Sequence, residues 1–148
     1  MNEFIVWDKE NYIGNDDRFY TPSDLSLDGL YLQIIDDGKL ILTDMVDDGE
    51  YSVPKQIQIE TFSYTGKTDI DGNKIYADSS IVEFDFETEE KIVGYFTYNK
   101  EWLRFDFVAP LERCCVKPKA DMAYIPSYFK NLKIIGTLQE NKELLCTH

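Results

Sequence analysis

Histidine is almost missing from this chain, and the one present, His148, is the last residue. A Ser or Cys nucleophile needs a general base held by a folded scaffold, so nucleophilic catalysis of the usual kind has no candidate partner. Cysteine is scarce as well. Of the three, Cys114 and Cys115 are neighbours and Cys146 lies near the C-terminus. That pattern lacks the paired spacing of a zinc site and cannot build a disulfide framework. Reduced thiols that are buried or incidental are expected, in a bacterial cytoplasm. Apolar runs are short, Leu40-Ile41-Leu42 being typical, and no basic segment followed by a long apolar stretch opens the chain. Neither a membrane span nor a secretory signal is expected. Walker and dinucleotide-binding glycine loops are absent too.

Positive charge is the other shortage. The chain has 15 Lys and Arg against 28 Asp and Glu, a net of −13. Residues 1–60 hold 14 acids and 4 bases, a net of −10, whereas residues 61–148 hold 14 and 11, a net of −3. Between Asp16 and Glu50, ten acids face only Arg18 and Lys39. Farther on, Arg113, Lys117, Lys119, Lys130 and Lys133 against Asp121 leave a local excess of +4. An acidic chain is repelled by phosphate backbones, so general binding to DNA, RNA or an anionic membrane is not expected. The opposite charges of the two regions point instead to a homo-oligomer.

At 148 residues the chain is the size of one domain, able to bury roughly 70% of the surface its unfolded form exposes. Short segments rich in β-branched and aromatic residues alternate with turn signals. The expected strands are Phe4–Trp7, Leu30–Ile35, Lys39–Val46, Gln56–Tyr64, Lys74–Tyr76, Ile81–Phe86, Ile92–Tyr98, Trp102–Val108 and Leu132–Leu138. Gln56-Ile57-Gln58-Ile59-Glu60 and Arg104-Phe105-Asp106-Phe107 alternate with period two, which places one face in a core. Asp36-Asp37-Gly38, Asp47-Asp48-Gly49 and Asp71-Gly72 supply tight turns, with Gly72 expected at positive φ. A mainly β, antiparallel fold follows, a partly open barrel or sandwich with one or two short helical turns. It forms a single domain, 1–148, or two packed β subdomains, an acidic part of about residues 1–58 and a C-terminal core of 59–148. Thr21-Pro22-Ser23-Asp24 reads as the start of a short helix, because Thr can accept a backbone N–H, Pro suits the first helical position and Asp favours the N-terminal end. Ile125–Lys130 reads as a second turn, and Pro110 to Pro126 as a long surface connection.

Three segments carry a family resemblance. Tyr64 to Val82 contains Asp69-Ile70-Asp71-Gly72-Asn73-Lys74-Ile75-Tyr76. Phe4-Ile5-Val6-Trp7-Asp8-Lys9 is similar to an opening usually written Phe-Arg-Ala-Trp-Asp-Lys, and Ile134-Ile135-Gly136-Thr137-Leu138-Gln139-Glu140-Asn141-Lys142-Glu143-Leu144-Leu145 matches a closing segment without a gap. Together they resemble the YopX-like family of phage and prophage proteins. The resemblance implies a phage or prophage setting and no established activity. Where that family has Glu-Gly-Asp after Ile-Tyr, this chain has Ala77-Asp78-Ser79-Ser80, one residue longer and without the glycine, so a bulge or wider turn belongs there.

No catalytic, cofactor-binding or metal-binding residue is assigned. Asp69, Asp71 and Asn73 alternate like calcium ligands, but the glycine and the bidentate glutamate of such a loop are out of place, and turn chemistry accounts for them. The aromatics of Tyr95-Phe96-Thr97-Tyr98 and Trp102-Leu103-Arg104-Phe105 lack a cationic groove, so cross-strand packing explains them better than base stacking. The expected function is that of a non-enzymatic accessory protein acting through protein contacts. The rivals are an acidic mimic of nucleic acid, built on Asp16 to Glu50, and a carboxylate-based hydrolase, for which no motif speaks. Trp7, in an apolar run, is expected to be buried near the closing strand around Ile134 to Leu138.

Overall fold

A computed structural model describes residues 3–35, 38–85, 91–109 and 130–145. The chain is mainly β, and the described residues hold eleven strands, one short α-helix and one 3₁₀ turn. It divides into two compact units, Met1–Phe62 and Ser63–His148.

In the first unit, β1 (Phe4–Asp8) pairs antiparallel with β2 (Phe19–Tyr20), Val6 opposite Tyr20 and Trp7 opposite Phe19. A single helix, α1 (Pro22–Leu27), follows. Its start is a capping box: the Thr21 hydroxyl accepts from the Asp24 N–H at 3.2 Å, and the Asp24 carboxylate accepts from the Thr21 N–H at 3.1 Å. Pro22 adds a pre-set φ where no helical N–H is needed. Leu25 is the buried residue of this helix. Then β3 (Tyr31–Ile34), β4 (Leu40–Asp47) and β5 (Ser52–Ile57) form an antiparallel sheet in that order. Val6, Leu25, Leu30, Leu42, Ile57 and Ile59 share one core with Tyr20.

The second unit begins within β6 (Ile59–Thr68) and contains β7 (Lys74–Tyr76), β8 (Ser80–Asp85), β9 (Lys91–Asn99), β10 (Arg104–Val108) and β11 (Lys130–Thr137). Its antiparallel sheet runs β10-β9-β8-β11. Phe107 stands between Phe84 and Phe96, with ring centroids 5.4 and 5.2 Å away. All three rings are buried, with Ile75, Val82 and Leu132 around them. Gly94 makes room for this packing, since a Cβ there would lie 2.5 Å from Phe107 Cζ. The 3₁₀ turn Lys142–Leu145 closes the unit.

Local expectations and structure agree at the β6–β7 hairpin. Gly72 has φ +84, a conformation that costs a residue with a Cβ about 1 to 2 kcal/mol. Gly72→Val should lower stability by that amount, read as a shifted urea midpoint; an unshifted midpoint contradicts the assignment. The extra residue after Tyr76 is absorbed in a turn with Asp78 at φ +61.

Four expectations change. Gln56–Tyr64 is not one strand: β5 ends at Ile57 and β6 begins at Ile59. β5 itself was hidden by Pro54, which lacks a ladder donor but is tolerated in a strand paired only with β4. Trp102 and Leu103 belong to the β9–β10 turn rather than to β10, because Asn99 Oδ1 accepts from the N–H groups of Glu101 and Trp102 and Leu103 has φ +51. Trp7 is only half-buried, and its ring rests on Phe19 and under the Arg18 guanidinium, at 6.5 and 4.7 Å. β11, the closing strand, pairs with β8. The proposed turn at Ile125–Lys130 lies outside the described residues except for Lys130, which is in β11.

Candidate functional site

The residues of the three resembling segments hold turns. Asp8 is fully buried, and its two carboxylate oxygens accept from the N–H groups of Tyr12 and Ile13 at 3.0 and 2.9 Å. Arg18 donates from Nε and a terminal nitrogen to the Asp8 carbonyl, at 3.0 and 2.8 Å. Asp69 is 6% exposed. Its Oδ1 accepts from the N–H groups of Asp71 and Asn73 at 3.0 and 2.9 Å, and its Oδ2 from the Ile134 N–H at 3.1 Å. At the chain's end the Asn141 side chain accepts from the Thr137 N–H at 3.2 Å. A Cβ on Gly136 would sit 2.8 Å from Asn141 Oδ1.

These contacts account for the calcium-like spacing of Asp69, Asp71 and Asn73. The Asp69 oxygens face backbone donors and take no part in a cage. Burial pushes the Asp69 carboxyl up, but the hydrogen bonds from Ile134, Asn73 and Asp71 outweigh it and leave the pKa below the ordinary carboxylate range. Among the described residues, no group of three or more His, Cys, Asp or Glu could hold a metal ion. Cys114, Cys115, Cys146, His148 and three of the five cations between Arg113 and Lys133, namely Arg113, Lys117 and Lys119, lie outside the described residues, while Lys130 and Lys133 are on β11.

The aromatics pair across strands. Phe105 faces Tyr98 and Phe107 faces Phe96 in the β9–β10 ladder, and the Tyr98 and Phe105 rings meet edge-on at 5.2 Å. Trp102 and Leu103 stand out from the turn, 68% and 76% exposed, with Arg104 over the Trp102 ring at 5.7 Å. Arg104 also pairs with the buried Asp106 carboxylate at 2.8 Å.

Two features of the first unit escaped the sequence reading. The first is an apolar row on one face of the β3-β4-β5 sheet. Met45 lies opposite Pro54 and two residues beyond Thr43, the partner of Tyr31. Tyr31 and Met45 are 42% and 45% exposed, and the Tyr31 hydroxyl donates to Met45 Sδ at 3.4 Å. Alternation in β4 predicts a face, but only register across three strands assembles the row.

The second is a cleft of about 440 Å³, lined by Asn15, Asp17, Phe19, Tyr20, Asp24, Leu27 and Asp28. Tyr20 is 7% exposed and its hydroxyl is buried. Burial raises the Tyr20 pKa, a hydrogen bond with the Asn15 side chain lowers it, and the charges of Asp8, Asp17 and Asp28 raise it further. Asp24 is held below the ordinary range by its bonds to Thr21, so it remains a carboxylate. No Lys or Arg among the described residues pairs with Asp17, Asp24 or Asp28.

Two solved structures resemble this chain over nearly its whole length. Protein YopX from Bacillus subtilis is 19% identical, with a TM-score of 0.58, over 97% of this chain and 98% of that one. Protein EF1440 from Enterococcus faecalis is 15% identical, with a TM-score of 0.52, over 98% of both chains. No family model matches the chain, and no curated protein matches it. The likeness shows a YopX-like fold, in agreement with the resemblance carried by the three segments. Neither neighbour's name states an activity.

Proposed function

We propose that this chain is a non-catalytic accessory protein that works by contact with other proteins, including further copies of itself, in the cytoplasm of a phage- or prophage-bearing bacterium. The supporting observation is the exposed row of Tyr31, Met45 and Pro54 on a sheet whose β3 and β5 are outer strands. Apolar side chains in contact with one another on a sheet surface are a surface that binding would cover. The family resemblance supplies the phage setting.

The test is a double variant, Tyr31→Lys with Met45→Lys, compared with wild type by light scattering and by affinity capture from host lysate. The expected result is loss of self-association and of one enriched partner, with an unchanged melting temperature. A wild-type monomer at low salt and high concentration, with captures identical for both proteins, would refute the proposal. A second reading, mimicry of nucleic acid, draws on the net −10 of residues 1–60. It predicts that the captured partner is a basic DNA-binding protein whose retention falls steeply with salt.

A further inference from the structure

We propose that Asp48 is a site of spontaneous backbone modification, isomerising to isoaspartate through attack of the Gly49 nitrogen on its side chain. The chain has four Asp-Gly pairs, at Asp28, Asp37, Asp48 and Asp71, and Asp37 lies outside the described residues. Asp28, Asp48 and Asp71 are all exposed, and the glycine after each has positive φ, from +75 to +90. Sequence and exposure therefore do not rank them. The hydrogen bonds do. Asp28 caps the end of α1: its N–H goes to the Asp24 and Leu25 carbonyls, and the Gly29 N–H goes to the Ser26 carbonyl at 3.1 Å. At Asp71 the N–H goes to Asp69 Oδ1 and the Gly72 N–H to the Asp69 carbonyl at 3.1 Å, both on a residue that is 6% exposed. The Gly49 N–H goes instead to a side chain, Oδ1 of the exposed Asp47, at 3.1 Å.

That difference falls on the nucleophile. The peptide after the aspartate must turn until its nitrogen faces Cγ. A backbone-to-backbone bond inside a helix cap or hairpin resists the turn, whereas an exposed carboxylate competing with water holds it weakly. The Gly49 nitrogen then adds to the Asp48 Cγ; its proton and the carboxyl OH leave as water, and a succinimide ring closes. Water next adds to one of the two ring carbonyls. Opening at Cγ restores aspartate. Opening at the main-chain carbonyl carbon breaks the bond from that carbon to the Gly49 nitrogen and leaves the chain running through Cβ and Cγ. Glycine puts no side chain in the way of either step. The sequence of steps releases one water and takes one up, with no oxidant, metal or enzyme. The product adds a carbon to the main chain between β4 and β5, beside the Asp47–Ser52 pair that ends their ladder, and disturbs the turn closed by the Asp48 N–H on the Tyr51 carbonyl at 2.8 Å. The site stands apart from the protein-contact proposal, since the reaction needs no partner.

The test incubates the full chain in warm neutral buffer, folded and, in parallel, in concentrated urea. Peptide mapping with electron-transfer fragmentation, which tells isoaspartate from aspartate, follows the product at each pair over time. In the folded chain isoaspartate at Asp48 should accumulate about tenfold faster than at Asp28 or Asp71, because those two react only from locally opened molecules. In urea, where the hydrogen bonds are gone, the three rates should converge. The two unreactive pairs serve as controls within the same molecule, so no variant with altered folding is needed. Accumulation at Asp28 or Asp71 as fast as at Asp48 in the folded chain, no product at Asp48 there, or the same ranking in urea as in buffer would overturn the proposal.

Discussion

Asp69→Ala is expected to destabilise the protein by on the order of 3 to 5 kcal/mol, because it strips the acceptor from several partly buried backbone donors at once. The carboxylate takes the N–H groups of Asp71, Asn73 and Ile134, and the Asn73 side-chain amide approaches Oδ2 at 3.4 Å. The last backbone bond joins the hairpin to β11, and Ile70 N–H to Leu132 carbonyl, at 2.9 Å, runs beside it. Asp69→Asn is the sharper probe. It keeps the size and one acceptor, but turns an N–H₂ toward the Ile134 N–H, donor against donor. It should cost less than Asp69→Ala and more than Gly72→Val in urea denaturation.

The same residue carries a pH signature. Its folded pKa is depressed, so the stability it contributes is fully present above the unfolded value of about 3.9 and is lost as pH falls through the folded pKa. The gap in stability between wild type and Asp69→Asn should therefore be constant near neutral pH and shrink in acid. A gap that widens in acid would reverse the sign and reject the hydrogen-bonding account.

Phe107→Ala should cost about 3 to 5 kcal/mol, the range for deleting a fully buried ring. Phe107 is 0% exposed, and its loss removes contacts with both Phe84 and Phe96 and leaves a void behind Gly94. Relative to a total stability of about 5 to 15 kcal/mol, this is enough to unfold a large share of the molecules on mild heating. Phe107→Leu, which refills part of the volume, should recover some of the loss. A thermal melt of the two variants checks it: equal melting temperatures for Phe107→Ala and wild type would place the ring outside the core.

Neither effect depends on a catalytic role, and that bears on the resembling segments. Asp8, Asp69, Gly136 and Asn141 each secure a turn, through carboxylate or amide acceptors or through an absent side chain. A chain can keep these residues for its architecture alone.

What the sequence determined by itself is local. The helix start at Thr21 to Asp24, the positive φ of Gly72, the three-residue strand Lys74–Tyr76 and the wider turn at Asp78 each rest on residues within a few positions of one another. Such short-range hydrogen bonds and steric limits can be read without knowing the fold. Only the tertiary structure decided that Asp69 reaches Ile134, 65 positions away, that Pro54 sits in an outer strand, and that Asp17, Tyr20 and Asp28 line one cleft. Long-range register and the direction of each turn settle those neighbours, and no period in the sequence encodes them.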